Sequence, residues 1–204
     1  MSIMPILVLV RHGQSQWNEE NRFTGTADVD ITAQGATDAA NAGLKLKDIQ
    51  FDQAFVSEQK RAQQTLSIIL KEIHQEAIPI TINHALNERD YGQLQGLNKA
   101  ETAKQYGEEQ VAIWRRSYDV APPGGESLKA VYARVIPYYQ QHVAPLLRSG
   151  KNILVVAHGN SLRTLIMYLE NISSENIEHV NLPGALPRMY KMDNELNIDE
   201  VKYL

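Results

Sequence analysis

The stretch I-L-V-L-V-R-H-G, Ile6 to Gly13, decides the architecture. Five consecutive aliphatic residues, Ile6 to Val10, read as a buried strand. An Arg, a His and a Gly then leave its carboxyl end, the edge at which open α/β sheets bind ligands. The design recurs far downstream, where the run from Asn152 to Ala157 ends in His158-Gly159-Asn160. Two histidines that each leave a buried strand and each precede a glycine can converge on one crevice. That arrangement suits phosphoryl transfer through a histidine.

Between and beyond these strands the chain alternates strand and helix signals. After a polar loop to about Asp30, Thr32 caps a helix over 33–47 with a small-residue face of Ala36, Ala39, Ala40 and Leu44. Ala54 to Val56 is a short strand, and Arg61 to Ile73 a helix with Leu66, Ile69, Leu70 and Ile73 at helical spacing. Ile78 to Ile82 is a further strand, and the polar stretch from Asn87 to Ser117 carries short helices. Pro122-Pro123-Gly124-Gly125 breaks the chain before a long helix over 127–147, which Pro137 kinks. A helix over 161–169 follows His158, and Met189 to Met192 and Val201 to Tyr203 add edge strands. The alternation predicts an α/β fold: a three-layer sandwich, its central sheet mostly parallel, with helices on both faces. A length of 204 residues fits a single domain over 1–204.

Composition narrows the function. With 43% hydrophobic and 22% charged residues the chain reads as an ordinary globular protein. The absence of Cys excludes disulfides and thiolate metal sites, and no H-E-x-x-H string points to a zinc hydrolase. The apolar run near the start is too short for a membrane span and lacks a basic flank, so the expected location is cytoplasmic, without membrane partners. A net charge of −4 argues against a nucleic-acid partner. Binding of an anion must then come from local Arg and Lys clusters.

Candidate chemistry falls at the strand ends: His12, then Ser57 and Arg61, then Glu88 to Tyr91, then His158. A neutral His12 imidazole can attack phosphorus, and the N–P bond formed is labile enough to pass the group on. Arg11 beside it favours the neutral ring and offers a bidentate fork to phosphate oxygens. Arg61 at a helix start offers a second fork. His158, if protonated, stabilises the equatorial oxygens, with Gly159 and Asn160 adding donors at a helix start. Glu88 is the expected general acid and base at the substrate hydroxyl. Each element alone is weak: R-H-G is a three-letter string, and Arg115-Arg116 in isolation reads as well as a solvated helix face. His74, His84, His142 and His179 stand outside the pattern, and Trp114, Tyr138 and Tyr139 read as packing residues.

The segments R-H-G-Q-S-Q-W-N (Arg11 to Asn18), N-R-F-T-G (Asn21 to Gly25) and L-N-E-R-D-Y-G (Leu86 to Gly92) resemble the histidine phosphatase superfamily. With L-Q-G-L-N-K-A-E-T (Leu94 to Thr102), W-R-R (Trp114 to Arg116) and A-H-G-N-S-L-R (Ala157 to Arg163), the resemblance narrows to the 2,3-bisphosphoglycerate-dependent phosphoglycerate mutases. It implies phosphorylation of His12, with Arg11, Arg61 and His158 around the transferring group and Glu88 moving the proton. It further implies that phosphoglycerate is bound by Arg11, His12, Gly13, Gln14, Ser15, Asn18, Thr24, Gly25, Arg61, Glu88, Arg89, Tyr91, Lys99, Arg115, Arg116, Gly159 and Asn160. The reaction implied is the interconversion of 2-phosphoglycerate and 3-phosphoglycerate in glycolysis and gluconeogenesis, primed by 2,3-bisphosphoglycerate and without a metal. The implied partners are small phosphoglycerates, with a homo-oligomer left open.

Two departures from the longer members of that family stand out. The chain passes from W-R-R to Ser127 through P-P-G-G-E-S without the usual insertion, and it stops soon after the last strand signal. The expectation is a less covered site that leaks phosphate to water, unless Asn18 to Gly25 and Lys99 to Arg116 fold over it. A phosphomonoesterase of the same superfamily is the alternative function. A non-enzymatic phospho-ligand or protein-binding member is more remote, because no catalytic candidate is lost.

Overall fold

The Ile6–Arg11 strand, β1, lies inside the sheet, hydrogen-bonded on both sides. The computed structural model describes residues 4–204. Its sheet has the order β3-β2-β4-β1-β5-β6, where β2 is Gln53–Val56, β3 Ile80–Ile82, β4 Ile153–Ala157, β5 Arg188–Met192 and β6 Ile198–Tyr203. β3, β2, β4 and β1 run parallel, while β5 runs antiparallel to β1 and β6 antiparallel to β5. β5 is therefore an interior strand, where the sequence suggested an edge.

Strand side chains alternate between two cores. Val8, Val10, Ala54, Val56, Leu154 and Val156 face one side, against α2 (Ala33–Leu46) and α3 (Lys60–Glu72). Leu7, Leu9, Phe55, Ile153, Val155 and Ala157 face the other, against α6 (Leu128–Tyr138), α7 (Ala144–Arg148) and α8 (Gly159–Leu169). Each buried Val, Leu, Ile or Phe among them contributes roughly 1.5–3 kcal/mol relative to exposure. The expected sandwich, with its mostly parallel sheet, is what these layers make.

Thr32 caps α2 as expected, its Oγ1 accepting the Gly35 N–H at 3.0 Å. The buried face of α2 differs from the expected one: it is Gly35, Ala39, Ala42, Gly43 and Leu46, while Leu44 is exposed. A Cβ on Gly43 would lie 2.6 Å from the Glu72 Cβ, so glycine is what lets α2 and α3 approach. The expected long helix divides into α6, a π turn over Tyr139–Val143, and α7. Pro145 has no N–H to bond four residues back. The turn widens instead, and the Ala144 N–H reaches the Tyr139 carbonyl.

Between β3 and α6 the chain forms a small cap of α4 (Lys99–Tyr106) and α5 (Glu108–Arg116). Val111 and Trp114 of α5 pack with Phe23 and Leu94 in a third, separate core. A short helix missed by the sequence reading, α1 (Gln16–Glu19), starts at Ser15, whose hydroxyl accepts the Asn18 N–H at 3.4 Å.

Candidate active site

Arg11 and Ala157 are paired across the β1–β4 ladder, so His12 and His158 leave adjacent parallel strands side by side. The two rings stand 5.0 Å apart, and both residues are buried. The His12 N–H continues the ladder to the Ala157 carbonyl at 3.0 Å. His12 Nδ1 lies 2.7 Å from the Gly13 carbonyl. A carbonyl can only accept, so Nδ1 carries the proton and Nε2 keeps its lone pair. Burial, then the charges of Arg61 and Arg11, hold the His12 pKa well below its ordinary value. The ring is neutral at neutral pH.

Gly13 is needed for a close approach: a Cβ there would fall 2.3 Å from the Gly35 carbonyl oxygen. Its N–H donates to Thr65 Oγ1 at 3.0 Å, and that hydroxyl donates to the Arg61 carbonyl at 2.7 Å, tying the His12 loop to α3.

The guanidinium groups are held by backbone. Arg61, fully buried, donates Nη1 to the Ala27 carbonyl at 2.8 Å and Nη2 to the Gly25 carbonyl at 2.9 Å. One N–H of each terminal nitrogen therefore grips a loop, while Nε has no partner and each Nη keeps a second N–H to offer. Arg11 donates Nη1 to the Leu182 carbonyl at 2.9 Å. Buried polar atoms with no hydrogen-bond partner among the described residues gather in this region: Arg11 Nε, Arg61 Nε, Thr24 Oγ1 and His158 Nδ1, with Arg163 Nε and Arg89 Nε and Nη1 nearby. Unsatisfied buried donors of this kind are costly and mark a place for an anion.

Glu88 is buried, and its Oε1 accepts the backbone N–H groups of Arg89 at 2.8 Å and Asn160 at 3.2 Å. Its own N–H donates to Gln59 Oε1 at 2.8 Å. Arg134 of α6 fixes this loop from behind through the carbonyls of Ala85, Asn87 and Glu88 at 2.7, 3.0 and 3.2 Å. Glu126 pairs with Arg134 at 3.0 Å and accepts the Asp90 N–H at 3.0 Å. The G-G-E-S segment thus acts as a brace for Glu88.

A cavity of about 120 Å³ opens beside these groups. Seven basic residues line it, Arg11, Arg22, Arg61, Lys99, Arg115, Arg116 and Arg163, against the single carboxylate of Glu88. A chain with net charge −4 therefore carries a concentrated cationic pocket. Lys99 and Arg115 are crowded by their neighbours. Burial, then Arg115 and Arg11, pulls the Lys99 pKa down to about 8, and burial is also the leading cause of the lowered pKa of Arg115.

Two buried arginines lock the cap behind this cluster. Arg89 Nη2 donates to the Arg115 carbonyl at 3.1 Å, and Arg163 Nη2 donates to the Arg116 carbonyl at 3.2 Å and to the Ile177 carbonyl at 2.6 Å. Arg163 Nη1 also holds Asn160 Oδ1 at 3.2 Å, while Asn160 Nδ2 donates to the Tyr91 hydroxyl at 3.2 Å.

Of the expected site residues, Arg11, His12, Asn18, Thr24, Gly25, Arg61, Glu88, Tyr91, Lys99, Arg115, Arg116, Gly159 and Asn160 meet at the cavity. Gly13, Gln14, Ser15 and Arg89 are not among its lining residues, and the contacts they make are to the protein itself. Gly13 packs on Gly35, Gln14 Oε1 accepts from the Thr32 hydroxyl, Ser15 caps α1, and Arg89 grips α5. His158 is fully buried beside His12, behind the cavity lining. The cavity also takes in Arg22, Arg163, Asn181 and Leu182, which the sequence reading did not single out. His74, His84, His142 and His179 are exposed and lie away from it. Among the described residues no group of three or more His, Asp or Glu side chains is placed to hold a metal, and no helix is long and apolar enough to cross a membrane.

The two strand-end histidines lie side by side among arginines, and the chain belongs to the histidine phosphatase superfamily (branch 1), whose profile matches residues 7–194. More particularly, it is 55% identical over 201 residues to a 2,3-bisphosphoglycerate-dependent phosphoglycerate mutase of Cytophaga hutchinsonii, covering 98% of this chain and 94% of the relative. It is also 55% identical to the protein of the same name from Afipia carboxidovorans, over 95% of each chain. A solved mycobacterial glucosyl-3-phosphoglycerate phosphatase in complex with VO3 superimposes with a TM-score of 0.83 at 25% identity, over 98% of this chain and 97% of that one.

Proposed function

We propose that this protein is a cytoplasmic enzyme that interconverts 2-phosphoglycerate and 3-phosphoglycerate by way of a phosphohistidine and 2,3-bisphosphoglycerate, without a metal. The observation that carries the reading is one cavity lined by two sets of cationic groups from separate parts of the fold. One set, at the sheet edge, has the unpartnered Arg11 Nε and Arg61 Nε, with Thr24 Oγ1, near His12. The other, on the cap, is Lys99, Arg115 and Arg116. A phosphatase needs the first alone, whereas a mutase must also hold the phosphate and carboxylate that are not reacting. The names of the relatives at 55% identity support the same reading.

In the priming step the His12 Nε2 lone pair attacks a phosphorus of 2,3-bisphosphoglycerate. The bond from phosphorus to the substrate oxygen breaks, its electron pair stays on that oxygen, and the oxygen takes a proton from Glu88. Transfer back runs in reverse. Glu88 takes the proton of a phosphoglycerate hydroxyl, that oxygen attacks the phosphohistidine, and the electron pair of the N–P bond returns to Nε2. Glu88 suits both directions because two backbone N–H groups hold its Oε1 and leave Oε2 free. The growing negative charge on the transferring oxygens is met by arginine donors already in place, so no reorganisation is needed at the moment of reaction.

The test is the conversion of 3-phosphoglycerate with and without added 2,3-bisphosphoglycerate, in excess EDTA. The reading expects isomerisation that depends on priming and survives chelation. The superfamily alternative, a phosphomonoesterase, gains support from the glucosyl-3-phosphoglycerate phosphatase fold. It would show instead as release of inorganic phosphate with no 2-phosphoglycerate formed.

A further inference from the structure

Ser57 leaves the carboxyl end of β2 and is fully buried. Its Oγ lies 2.7 Å from His158 Nε2 and accepts the Gln59 N–H at 3.3 Å. The other ring nitrogen, Nδ1, is buried with no partner among the described residues. Nε2 is therefore occupied, and Nδ1 is the His158 nitrogen left for a ligand.

The placement of the protons follows from counting donors. If Nε2 carried the ring proton and donated it to Ser57, the serine hydroxyl hydrogen would be buried with no acceptor. Nδ1 would then turn a bare lone pair on an arriving phosphoryl group. Each fault carries the cost of an unmade buried hydrogen bond. If Ser57 donates to Nε2 instead, its oxygen still accepts from Gln59, every proton is used, and Nδ1 bears the N–H. We propose that Ser57 is a positioning residue that fixes His158 as the Nδ1–H tautomer, so that a neutral imidazole offers an N–H donor to the phosphoryl group on His12.

The surroundings favour a neutral donor over an imidazolium. Arg61 faces His158 from α3, Arg11 and His12 from the end of β1, and Arg134 from α6. Glu88, from the loop after β3, brings one carboxylate to the start of α8 through the Asn160 N–H. Burial first, then Arg61, the His12 ring, Arg11 and Arg134, hold the His158 pKa well below its ordinary value. In place of a His158 that would have to be protonated to donate, the proposed tautomer supplies a donor that is present at neutral pH without a second proton. The inference rests on the reading of His12 as the phosphorylated residue, but its primary test does not.

That test is a long-range ¹⁵N–¹H correlation spectrum of the free, full-length enzyme labelled at histidine, with His158 assigned by its loss in His158→Gln. The expected pattern is a neutral ring with the proton on Nδ1. A proton on Nε2, or an imidazolium at neutral pH, overturns the proposal. The second arm measures single-turnover phosphorylation of His12 by 2,3-bisphosphoglycerate against pH. Ser57→Ala removes the donor to Nε2 and frees the ring to move its proton there. Transfer should slow on the order of 10²-fold at neutral pH, the loss typical of one transition-state donor. It should recover as pH falls, because protonation restores N–H at Nδ1, while Ser57→Thr keeps the hydroxyl and restores the flat profile. A uniform loss in Ser57→Ala with the wild-type pH profile would mean that Ser57 only fills space, and would overturn the proposal. Failure of the wild type to label at all would refute the phosphohistidine reading, and the spectrum would then decide the Ser57 assignment by itself.

Discussion

The two ends of the cavity are built in different ways. At the phosphoryl end, His12, Arg61 and His158 are at most 3% exposed and stand at the ends of strands or the start of a helix that packs on the sheet. At the other end, Lys99, Arg115 and Arg116 are half-buried and ride on a two-helix cap with a small core of its own. The first end is part of the main fold. The second is attached to it by buried arginines on backbone carbonyls, Arg89 on Arg115 and Arg163 on Arg116. The difference separates the chemistry from the choice of substrate. On the proposed reading, the sheet edge sets up transfer to a histidine, and the cap supplies the charge that retains a doubly phosphorylated intermediate.

The largest effects belong to the first end. His12→Ala should abolish acid-labile, alkali-stable labelling by 2,3-bisphosphoglycerate together with turnover. Label that persists in this variant would move the nucleophile elsewhere. Glu88→Gln keeps the hydrogen bonds to the Arg89 and Asn160 backbone but cannot exchange the proton. Steady-state kinetics should show turnover down on the order of 10²–10⁴-fold, with a smaller change in KM. A nearly normal kcat would mean that the proton passes through another group.

Substitutions in the cap should be milder and selective. Arg116→Ala removes a charge-assisted contact worth roughly 1.5–3 kcal/mol, so isomerisation should fall about tenfold to a hundredfold. Hydrolysis of a simple phosphomonoester, which does not use that contact, should fall less. Equal losses would erase the distinction between the two ends. The smallest effect is in the pH dependence. Lys99, with its pKa lowered to about 8 by burial and then by Arg115 and Arg11, keeps its charge below that value and loses it as pH rises through it. The KM for phosphoglycerate should therefore climb above about pH 8, and Lys99→Met should lack that limb while binding less well throughout.

The sequence made the first end legible and much of the second end's support invisible, for physical reasons. A run such as Ile6 to Val10 has little choice but a buried strand, and the residues after it are placed by that fact alone. β5 was harder. Met189 to Met192 is too short and mixed to reveal that β6 covers its outer edge. The face of α2 was misjudged because Gly35 and Gly43, which carry no apolar signal, decide how closely it packs. Arg163 and Arg89 act on carbonyl groups, and backbone acceptors leave no mark in a sequence. Arg163 did leave hints, its place at the end of the A-H-G-N-S-L-R segment and one helical turn after Asn160, the residue it holds. Asn181 and Leu182 had none. Asn18, Thr24 and Gly25 from one segment and Lys99, Arg115 and Arg116 from the other line the cavity, and the expected leak of phosphate to water turns on how far these two segments close over it.

The most direct test is the fate of the phosphoryl group once it is on the protein. Enzyme labelled at His12 from radioactive 2,3-bisphosphoglycerate, freed of excess donor, is mixed with unlabelled 3-phosphoglycerate in a rapid-quench apparatus, and the label is divided between organic phosphates and inorganic phosphate. The account predicts that most of the label appears in 2,3-bisphosphoglycerate and 2-phosphoglycerate, with slow release to water, and that Arg116→Ala shifts this division towards inorganic phosphate. Label that passes from the wild-type enzyme mainly to inorganic phosphate, at a rate indifferent to 3-phosphoglycerate, would contradict it.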